Sequence, residues 1–151
     1  MTVRDATPGD LSSIIDFQVK MALETENVPL DIDTVTRGAR EVFNDPSKGK
    51  YYVAEQDGVV VGCLLTTFEW SEWRNGNVIW IQSVYIDEKF RNQGVFTKLY
   101  NHVKALVDNH PDFRGIRLYV DKKNKKAQQV YQKLGMNGDH YLVYEWMKGS
   151  D

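Results

Sequence analysis

Apolar residues recur with a helical period over the first part of the chain and with a strand period after it. From position 11 to about Leu23 they return every third or fourth residue, behind a Thr7-Pro8-Gly9-Asp10 start that offers an N-cap, a proline in the first turn and a capping box. A second helix is expected over 32–43, because the Asp45-Pro46 pair that follows disfavours helical backbone. The sequence therefore predicts a short strand at Val3 and then two consecutive helices.

Strand patterns begin after these helices. Two runs, 51–55 and 59–68, flank Gln56-Asp57-Gly58, and Asp-Gly suits the positive φ that tight hairpin turns need. A polar turn over 69–76 separates them from the run 77–86, which is apolar and β-branched on much of its length. Such a run is typical of a central strand. These residues predict three consecutive strands.

Two further helices and two further strands complete the pattern. A helix with one apolar stripe begins after Gly94, and another is predicted over 124–134, with Gly135 as its C-terminal cap. Strands are expected at 115–120 and 139–146. The predicted order is one strand, two helices, three strands, then helix, strand, helix and strand. This order indicates a mixed α/β domain.

The composition of the 151-residue chain is ordinary, with 42% apolar and 26% charged residues, and it predicts one domain spanning residues 1–151. A net charge of −2 argues against binding nucleic acid through bulk electrostatics and supplies no polybasic signal for a membrane surface. No apolar run approaches membrane-spanning length, and the N-terminus lacks the apolar core of a signal peptide. We therefore expect a cytoplasmic protein.

The sequence lacks the motifs of several common kinds of catalytic and binding site. It contains neither a Gly-x-x-x-x-Gly-Lys-Ser/Thr phosphate loop nor a Gly-x-Ser-x-Gly nucleophile elbow. No Cys/His cluster has metal-ligand spacing, so no metal is expected. Cys63 is the single cysteine, which excludes a disulfide within the chain, and its apolar neighbours indicate a packing role.

The segment 84–97 carries the clearest chemical signal. An apolar strand ends, a short charged turn follows, and Arg91-Asn92-Gln93-Gly94 opens the next helix. A helix N-terminus leaves backbone N–H groups unpaired and carries partial positive charge, so it suits a phosphate group. Gly94 permits a positive φ or a close approach, and Arg91 adds a cation suited to phosphate oxygens. Alone, such a turn begins many helices and does not establish a phosphate site.

A second motif follows the next strand. Asn124-x-x-Ala127-x-x-x-Tyr131 lies along one face of the predicted helix, and Gly135-Met136 follows it. An amide, a small side chain and a phenol would then line one groove. The alternative interpretation is a capping Asn and a packed Tyr.

Together the two segments resemble the GNAT superfamily, the acetyl-CoA-dependent N-acyltransferases. The family's pyrophosphate turn is usually Arg/Gln-x-x-Gly-x-Gly/Ala, and its downstream helix carries Asn, Ala and Tyr before a Gly-Phe pair. The resemblance, which includes the element order, implies the acyl-CoA N-acyltransferase fold, a central mixed and mostly antiparallel sheet flanked by helices. The chain departs from the pattern at Met136 and at Phe96, where a bulky ring replaces a small residue and must turn away from the cofactor.

The resemblance implies a site for coenzyme A. Main-chain groups of Val84 and Ile86 would pair with the amides of the pantetheine arm, as if a strand had been added. Asn124 would bond to the pantetheine side, and Tyr131 would lie near the thioester sulfur. The pyrophosphate would be held at the turn and helix start formed by Arg91, Asn92, Gln93, Gly94, Val95, Phe96 and Thr97.

The implied reaction is direct attack of an amine on the thioester while both substrates are bound. A backbone N–H near Val84 would stabilise the oxyanion. Tyr131 would protonate the departing thiolate, or else only donate a hydrogen bond and pack. Glu72 is the candidate base, with an idle surface Glu as the alternative. Carboxylates and rings that suit a cationic amine would line the acceptor pocket, unless the rings are core: Glu24, Glu69, Trp70 and Trp73.

The expected function is transfer of an acetyl group from acetyl-CoA to a primary amine of a small molecule, such as a polyamine, an amino sugar or an amino acid derivative. Two alternatives remain open at the level of sequence. One is an acyl-CoA-binding sensor without turnover, and the other is an enzyme that acetylates a protein lysine or N-terminus. A homodimer is also left open.

Overall fold

The computed structural model describes residues 1–149, which fall into two compact units, Met1–Leu118 and the chain from Tyr119 onward. The first unit contains five strands and three helices: β1 (Thr2–Asp5), α1 (Leu11–Glu26), α2 (Ile32–Asn44), β2 (Lys50–Gln56), β3 (Val59–Ser71), β4 (Gly76–Ile86), α3 (Val95–Asn109) and β5 (Phe113–Leu118). The second unit contains α4 (Lys125–Lys133). The prediction of one domain over the whole chain stays a prediction.

The first unit is built on a five-stranded sheet in the order β1-β2-β3-β4-β5. The three pairs from β1 to β4 are antiparallel, and β5 runs parallel to β4. This confirms the mixed, mostly antiparallel sheet that the resemblance implies. The predicted hairpin is also confirmed, because Asp57 and Gly58 join β2 to β3 with φ values of 53° and 79°.

The N-terminal helices begin and end at residues that the sequence marks. Thr7 and Asp10 form the predicted capping box, with Pro8 in the first turn. α1 runs past the predicted Leu23 to Glu26 and ends at Asn27, whose φ of 53° is left-handed. The N-cap of α2 is Asp31, whose carboxylate accepts the Thr34 N–H at 3.1 Å.

One part of the core of the first unit lies between the sheet and the first two helices. Its buried cluster joins residues of α1 and α2 to residues of β2, β3 and β4: Ile14, Phe17, Ala39, Tyr51, Val53, Cys63 and Tyr85. Cys63 has the packing role expected of it, since it is fully buried. Burial raises the pKa of its thiol to about 12, so the thiol stays protonated.

The last predicted strand is wrong. Residues 139–146 carry a strand-like pattern, but the structure assigns them neither strand nor helix. An alternating pattern gives a strand only where another strand accepts its backbone hydrogen bonds, and no ladder in the described part of the chain includes these residues. Across residues 1–149, no helix is both long and apolar enough to cross a lipid bilayer.

Candidate active site

β4 continues past the end of its neighbour and thereby opens one edge of the sheet. Its parallel pairing with β5 ends at Ile81 and Leu118, whereas β4 itself extends to Ile86. The Asp87 N–H bonds to the Val61 carbonyl at 2.9 Å, so residues 85 and 87 face β3 and the backbone groups of Val84 and Ile86 face the other way. The two residues predicted to pair with pantetheine therefore present their main chain at an edge that β5 has left.

A bulge shapes the same strand. Leu65 pairs with Ser83 and Thr66 pairs with Ile81, which leaves Gln82 as an extra residue on β4. Bulges re-aim side chains and are common beside active sites. Here the bulge lies directly before Val84, where β4 loses its parallel partner.

The turn before α3 has the conformation of an anion cradle. Asn92 and Gly94 adopt φ values of 62° and 77°, and α3 begins at Val95. The first intrahelical bond runs from the Lys98 N–H to the Gly94 carbonyl at 3.1 Å, so the N–H groups at the helix start point away from the helix body. Within the first unit, Met1–Leu118, no heavy atom lies within 4 Å of a Cβ built on Gly94 apart from its chain neighbours, so that unit leaves the turn open. Open amides at a helix N-terminus suit a phosphate group.

The ring of Phe96 packs along α3. Its centroid lies 6.1 Å from that of Tyr100, one helical turn further on. The side chain that departs from the family pattern thus contacts its own helix.

Arg91 connects the turn to the end of β4 and to α1. Its Nη2 lies 2.7 Å from Glu24 Oε2, and its Nε donates to the Ile86 carbonyl at 3.0 Å. The guanidinium also lies over the ring of Tyr85, 5.1 Å from its centroid, and the Tyr85 hydroxyl donates to Glu24 Oε1 at 2.8 Å. The Arg91 side chain therefore connects the turn to the end of β4 and to α1, and its charge is paired with that of Glu24.

The pKa values of this cluster follow from its contacts. Desolvation acts to raise the pKa of Glu24, but the hydrogen bonds from Arg91 and Tyr85 outweigh it and hold that pKa below its ordinary value. Burial, together with the neighbouring Glu24 carboxylate, raises the pKa of Tyr85 to about 12. Glu24 is thus an anion and Tyr85 a neutral donor over the physiological range.

An open cavity of about 360 Å³ lies between the first two helices and the middle of the sheet. Its aliphatic wall comes from Leu30, Val35, Ala39, Val42 and Leu65, with Gly38 of α2 beside them. Its polar groups are Gln18, Tyr51, Gln82 and Ser83. Gln82 and Ser83 belong to the bulge before Val84, so the cavity reaches the opened edge of β4.

The predicted acceptor residues lie elsewhere. Trp73 is 90% exposed and Trp70 is 62% exposed, on the hairpin that joins β3 to β4. Glu69 is paired with Arg117, and Glu72 lies in the turn of the same hairpin. Neither these four residues nor Glu24 lines the cavity, and their roles stay predictions.

The cavity residues were missed by the sequence reasoning. One signal could have found two of them, because Gln82 and Ser83 place two polar side chains in an otherwise apolar central strand. The contribution of α1 and α2 has no such signal, since it depends on packing between elements distant in sequence.

The second unit contains the other two predicted site residues. Asn124 caps α4, and its Oδ1 accepts the Ala127 N–H at 3.1 Å. Burial raises the pKa of Tyr131, so its phenol stays protonated. Their roles towards coenzyme A stay predictions. Among residues 1–149, no group of three or more His, Cys, Asp or Glu side chains is placed to hold a metal ion.

Comparison with known proteins places this geometry in a family. The model of the acetyltransferase (GNAT) family matches residues 17–136. Thialysine N-epsilon-acetyltransferase from Bos taurus is 34% identical over 142 residues, which cover 88% of this chain and 82% of the relative.

Solved structures agree with this result. A possible acetyltransferase from Clostridium difficile 630 is 41% identical, with a TM-score of 0.90 over 97% of this chain and 96% of that one. An aminoglycoside N-acetyltransferase in complex with CoA is 17% identical, with a TM-score of 0.79 over 97% of this chain and 94% of that one. The second likeness shows the fold alone.

Proposed function

The chain belongs to the acetyltransferase (GNAT) family of enzymes, which use acetyl-CoA, and from this premise we propose that it acetylates a primary amine of a small molecule. The observation that carries the proposal is the opened edge of β4 followed at once by the open turn before α3. The edge of β4 offers backbone groups that can pair as in a sheet, and the turn offers the backbone N–H groups at the start of α3. A pantetheine arm attached to a pyrophosphate requires that combination in that order.

The pantetheine arm would bind beside β4. The Ile86 carbonyl already accepts the Arg91 guanidinium, so the groups that remain for an added strand are the Ile86 N–H and both main-chain groups of Val84. Arg91 would act through its contacts with Ile86 and Glu24, which hold the end of the strand in place. Asn124 is the further candidate for the pantetheine side.

The pyrophosphate would bind at the turn. Backbone N–H groups from Gln93 to Thr97 would hold it around the left-handed Gly94, and the positive end of α3 favours the anion. The ring of Phe96, packed along α3 against Tyr100, is compatible with this site.

Acetyl-CoA supplies the activated acetyl group: the amine nitrogen bonds to the carbonyl carbon, the carbon–sulfur bond breaks, and coenzyme A leaves as the thiol. A backbone N–H near Val84 would stabilise the negative charge that develops on the carbonyl oxygen. Tyr131, which stays protonated, would donate a proton to the sulfur, and Glu72 remains the candidate base for the amine.

The test measures thiol release from acetyl-CoA with a panel containing a polyamine, an amino sugar, an amino acid amide and a simple monoamine. A glutamate in place of Gly94 puts a negative charge and a strained side chain in the phosphate turn, so Gly94→Glu should abolish detectable acetyl-CoA binding in calorimetry. Tyr131→Phe should bind acetyl-CoA normally and turn over about 100-fold more slowly, which is the usual size of a general-acid contribution.

Gly58→Glu is the matched control for the turn. Gly58 has a φ of 79°, close to the 77° of Gly94, and an added Cβ has equally open surroundings within residues 1–149. The two variants thus carry the same backbone strain and the same charge at different places. Equal acetyl-CoA affinity in both would refute the phosphate assignment, and tight binding without turnover of any amine would refute the acetyltransfer proposal.

A further inference from the structure

We propose that the cavity between α1, α2 and β4 binds the acceptor and selects a primary monoamine with an uncharged, apolar body over polyamines and over amino acids with a free carboxylate. The inference rests on the proposed function, because it assigns the acceptor of the same reaction. It is carried by the chemistry of the cavity wall, which differs from the acidic and aromatic pocket that the sequence suggested.

The cavity lies where an acceptor is needed. Gln82 and Ser83 line it and are followed directly by Val84, the residue proposed to contact the pantetheine arm. The bulge allows both side chains to reach one cavity, because Gln82 is the extra residue on β4. An amine bound to these two residues would therefore lie beside Val84, at the edge of β4 that β5 leaves open.

Within the first unit, Met1–Leu118, the residues that line the cavity include no charged side chain. Glu24, the acidic residue predicted for the acceptor pocket, does not line the cavity, and Arg91 and Tyr85 already occupy its two oxygens. A second ammonium of a polyamine, or the carboxylate of an amino acid, would therefore gain no opposite charge from this wall. An apolar body instead covers the aliphatic side chains of the wall, which favours such an amine over these ligands.

The few polar groups suit a single amine. Tyr51 lines the cavity with a side chain only 6% exposed, and its hydroxyl makes no hydrogen bond within residues 1–118. Ser83 adds a hydroxyl, and Gln82 Oε1 accepts only a long bond of 3.4 Å from the Thr67 hydroxyl. These oxygens can accept N–H groups from one amine and fix its orientation.

The same surroundings would help to form the nucleophile. Burial beside aliphatic side chains disfavours an ammonium ion and lowers the pKa of a bound amine. The bound ammonium therefore gives its proton to a base more readily, and the free amine then forms the amide bond while the thiol leaves.

The first test compares kcat/KM for three probes, 2-phenylethylamine, spermidine and L-lysine, at saturating acetyl-CoA. We expect 2-phenylethylamine to exceed both of the others by at least about tenfold, because each of them brings an uncompensated charge into the cavity. Equal or greater kcat/KM for spermidine or L-lysine would overturn the proposal.

The second test fills the cavity. Gly38 lies on α2 at the wall, and a Cβ built on it meets no heavy atom within 4 Å inside residues 1–149, so Gly38→Leu should fold and project into the space. The KM for 2-phenylethylamine should rise about tenfold, with the KM for acetyl-CoA unchanged. Arg40→Leu places the same side chain on the same helix outside the wall, and it should leave both KM values unchanged. An unchanged amine KM in a folded Gly38→Leu variant would contradict the assignment.

A charge placed in the wall gives an independent result. Gln82→Glu adds a carboxylate to the cavity, so the ratio of kcat/KM for spermidine to that for 2-phenylethylamine should increase at least about tenfold. An unchanged ratio would show that the acceptor binds elsewhere.

Binding separates this inference from the proposed function. If the protein binds acetyl-CoA but acetylates none of the probes, the proposed function fails, and NMR binding of 2-phenylethylamine still decides the cavity. Binding by the wild type that Gly38→Leu abolishes supports the cavity as an amine site. No binding, or equal binding by both proteins, overturns it.

Discussion

Asp10 is the buried charge on which the N-terminal part of the first unit depends. Its carboxylate accepts both Arg4 Nη atoms, at 2.8 and 3.0 Å, and the Thr7 N–H at 2.8 Å, and its side chain is 9% exposed. The hydrogen bond from Arg4 is the main reason that the pKa of Asp10 lies below its ordinary value, against the opposing effect of desolvation. The ionised form is therefore the form that stabilises the fold.

We expect Asp10→Asn to lower the free energy of unfolding by about 1–3 kcal/mol at neutral pH, because Arg4 loses the closer of its two carboxylate partners and keeps only Glu55, at 3.3 Å. The folded-state pKa is the lower one, so this contribution is complete above the ordinary Asp pKa of 3.8 and disappears as the pH falls through the lower folded value. Urea unfolding at neutral and acidic pH measures it. The difference between the two proteins should shrink in acid, and Asp16→Asn, at an exposed pair with Lys20, should show little difference at either pH. A constant difference down to acid pH would contradict this account.

At the same scale, the sequence predicted residues whose role is local and missed residues whose role is not. The capping residues Thr7 and Asp10 and the turn residues Asp57 and Gly58 were predictable, because each acts on backbone within a few positions. The partners of Arg91 were not, since Glu24 lies 67 positions away in sequence. No local pattern shows that the guanidinium contacts a helix end and a strand carbonyl.

At the scale of elements, α2 forms one wall of the proposed acceptor cavity. Gly38 in its interior lowers the stability of this helix. Glycine in a helix interior costs conformational entropy that alanine does not, and a Cβ at Gly38 has no heavy atom within 4 Å inside residues 1–149. Gly38→Ala should therefore raise the free energy of unfolding by about 0.5–1 kcal/mol. Thermal unfolding measures this as a higher Tm.

Gly49→Ala is the opposite case. Gly49 has a φ of 152°, and an added Cβ would lie 2.5 Å from the Thr66 carbonyl, so alanine there should destabilise the protein. The two substitutions differ only in whether the backbone and its surroundings accept a methyl group. A lower Tm for Gly38→Ala would mean that α2 requires glycine for a reason other than space.

Element type was more predictable than element pairing. The periods of apolar residues placed four helices and five of the six predicted strands, because those periods follow from helix and strand geometry. They did not give the extension of β3 to Ser71, the bulge at Gln82 or the absence of a strand over 139–146. Each of these depends on what a neighbouring strand offers, and that information is not local.

At the scale of the whole first unit, the Glu24, Tyr85 and Arg91 cluster connects the helix that lines the acceptor cavity to the turn proposed for the phosphate. α1 contributes Glu24 to the cluster and Gln18 to the cavity wall. β4 contributes Tyr85 and the Ile86 carbonyl, and Arg91 lies in the segment leading to Gly94. Loss of the ion pair between Glu24 and Arg91 should therefore weaken acetyl-CoA binding at the turn before α3.

A double-mutant cycle distinguishes this supporting role of Arg91 from direct contact with the phosphate. If Arg91 supports the turn, Glu24→Gln and Arg91→Ala should each weaken acetyl-CoA binding by roughly three- to tenfold. The double variant should bind about as weakly as Arg91→Ala alone, because Glu24→Gln removes an interaction that Arg91→Ala has already removed. If the guanidinium instead binds phosphate, Glu24→Gln should release it and strengthen binding, while Arg91→Ala weakens it. We expect the first result, since Arg91 is already bonded to both Glu24 and Ile86. Calorimetry with acetyl-CoA on the four proteins measures the coupling, and tighter binding by Glu24→Gln would assign Arg91 to the phosphate.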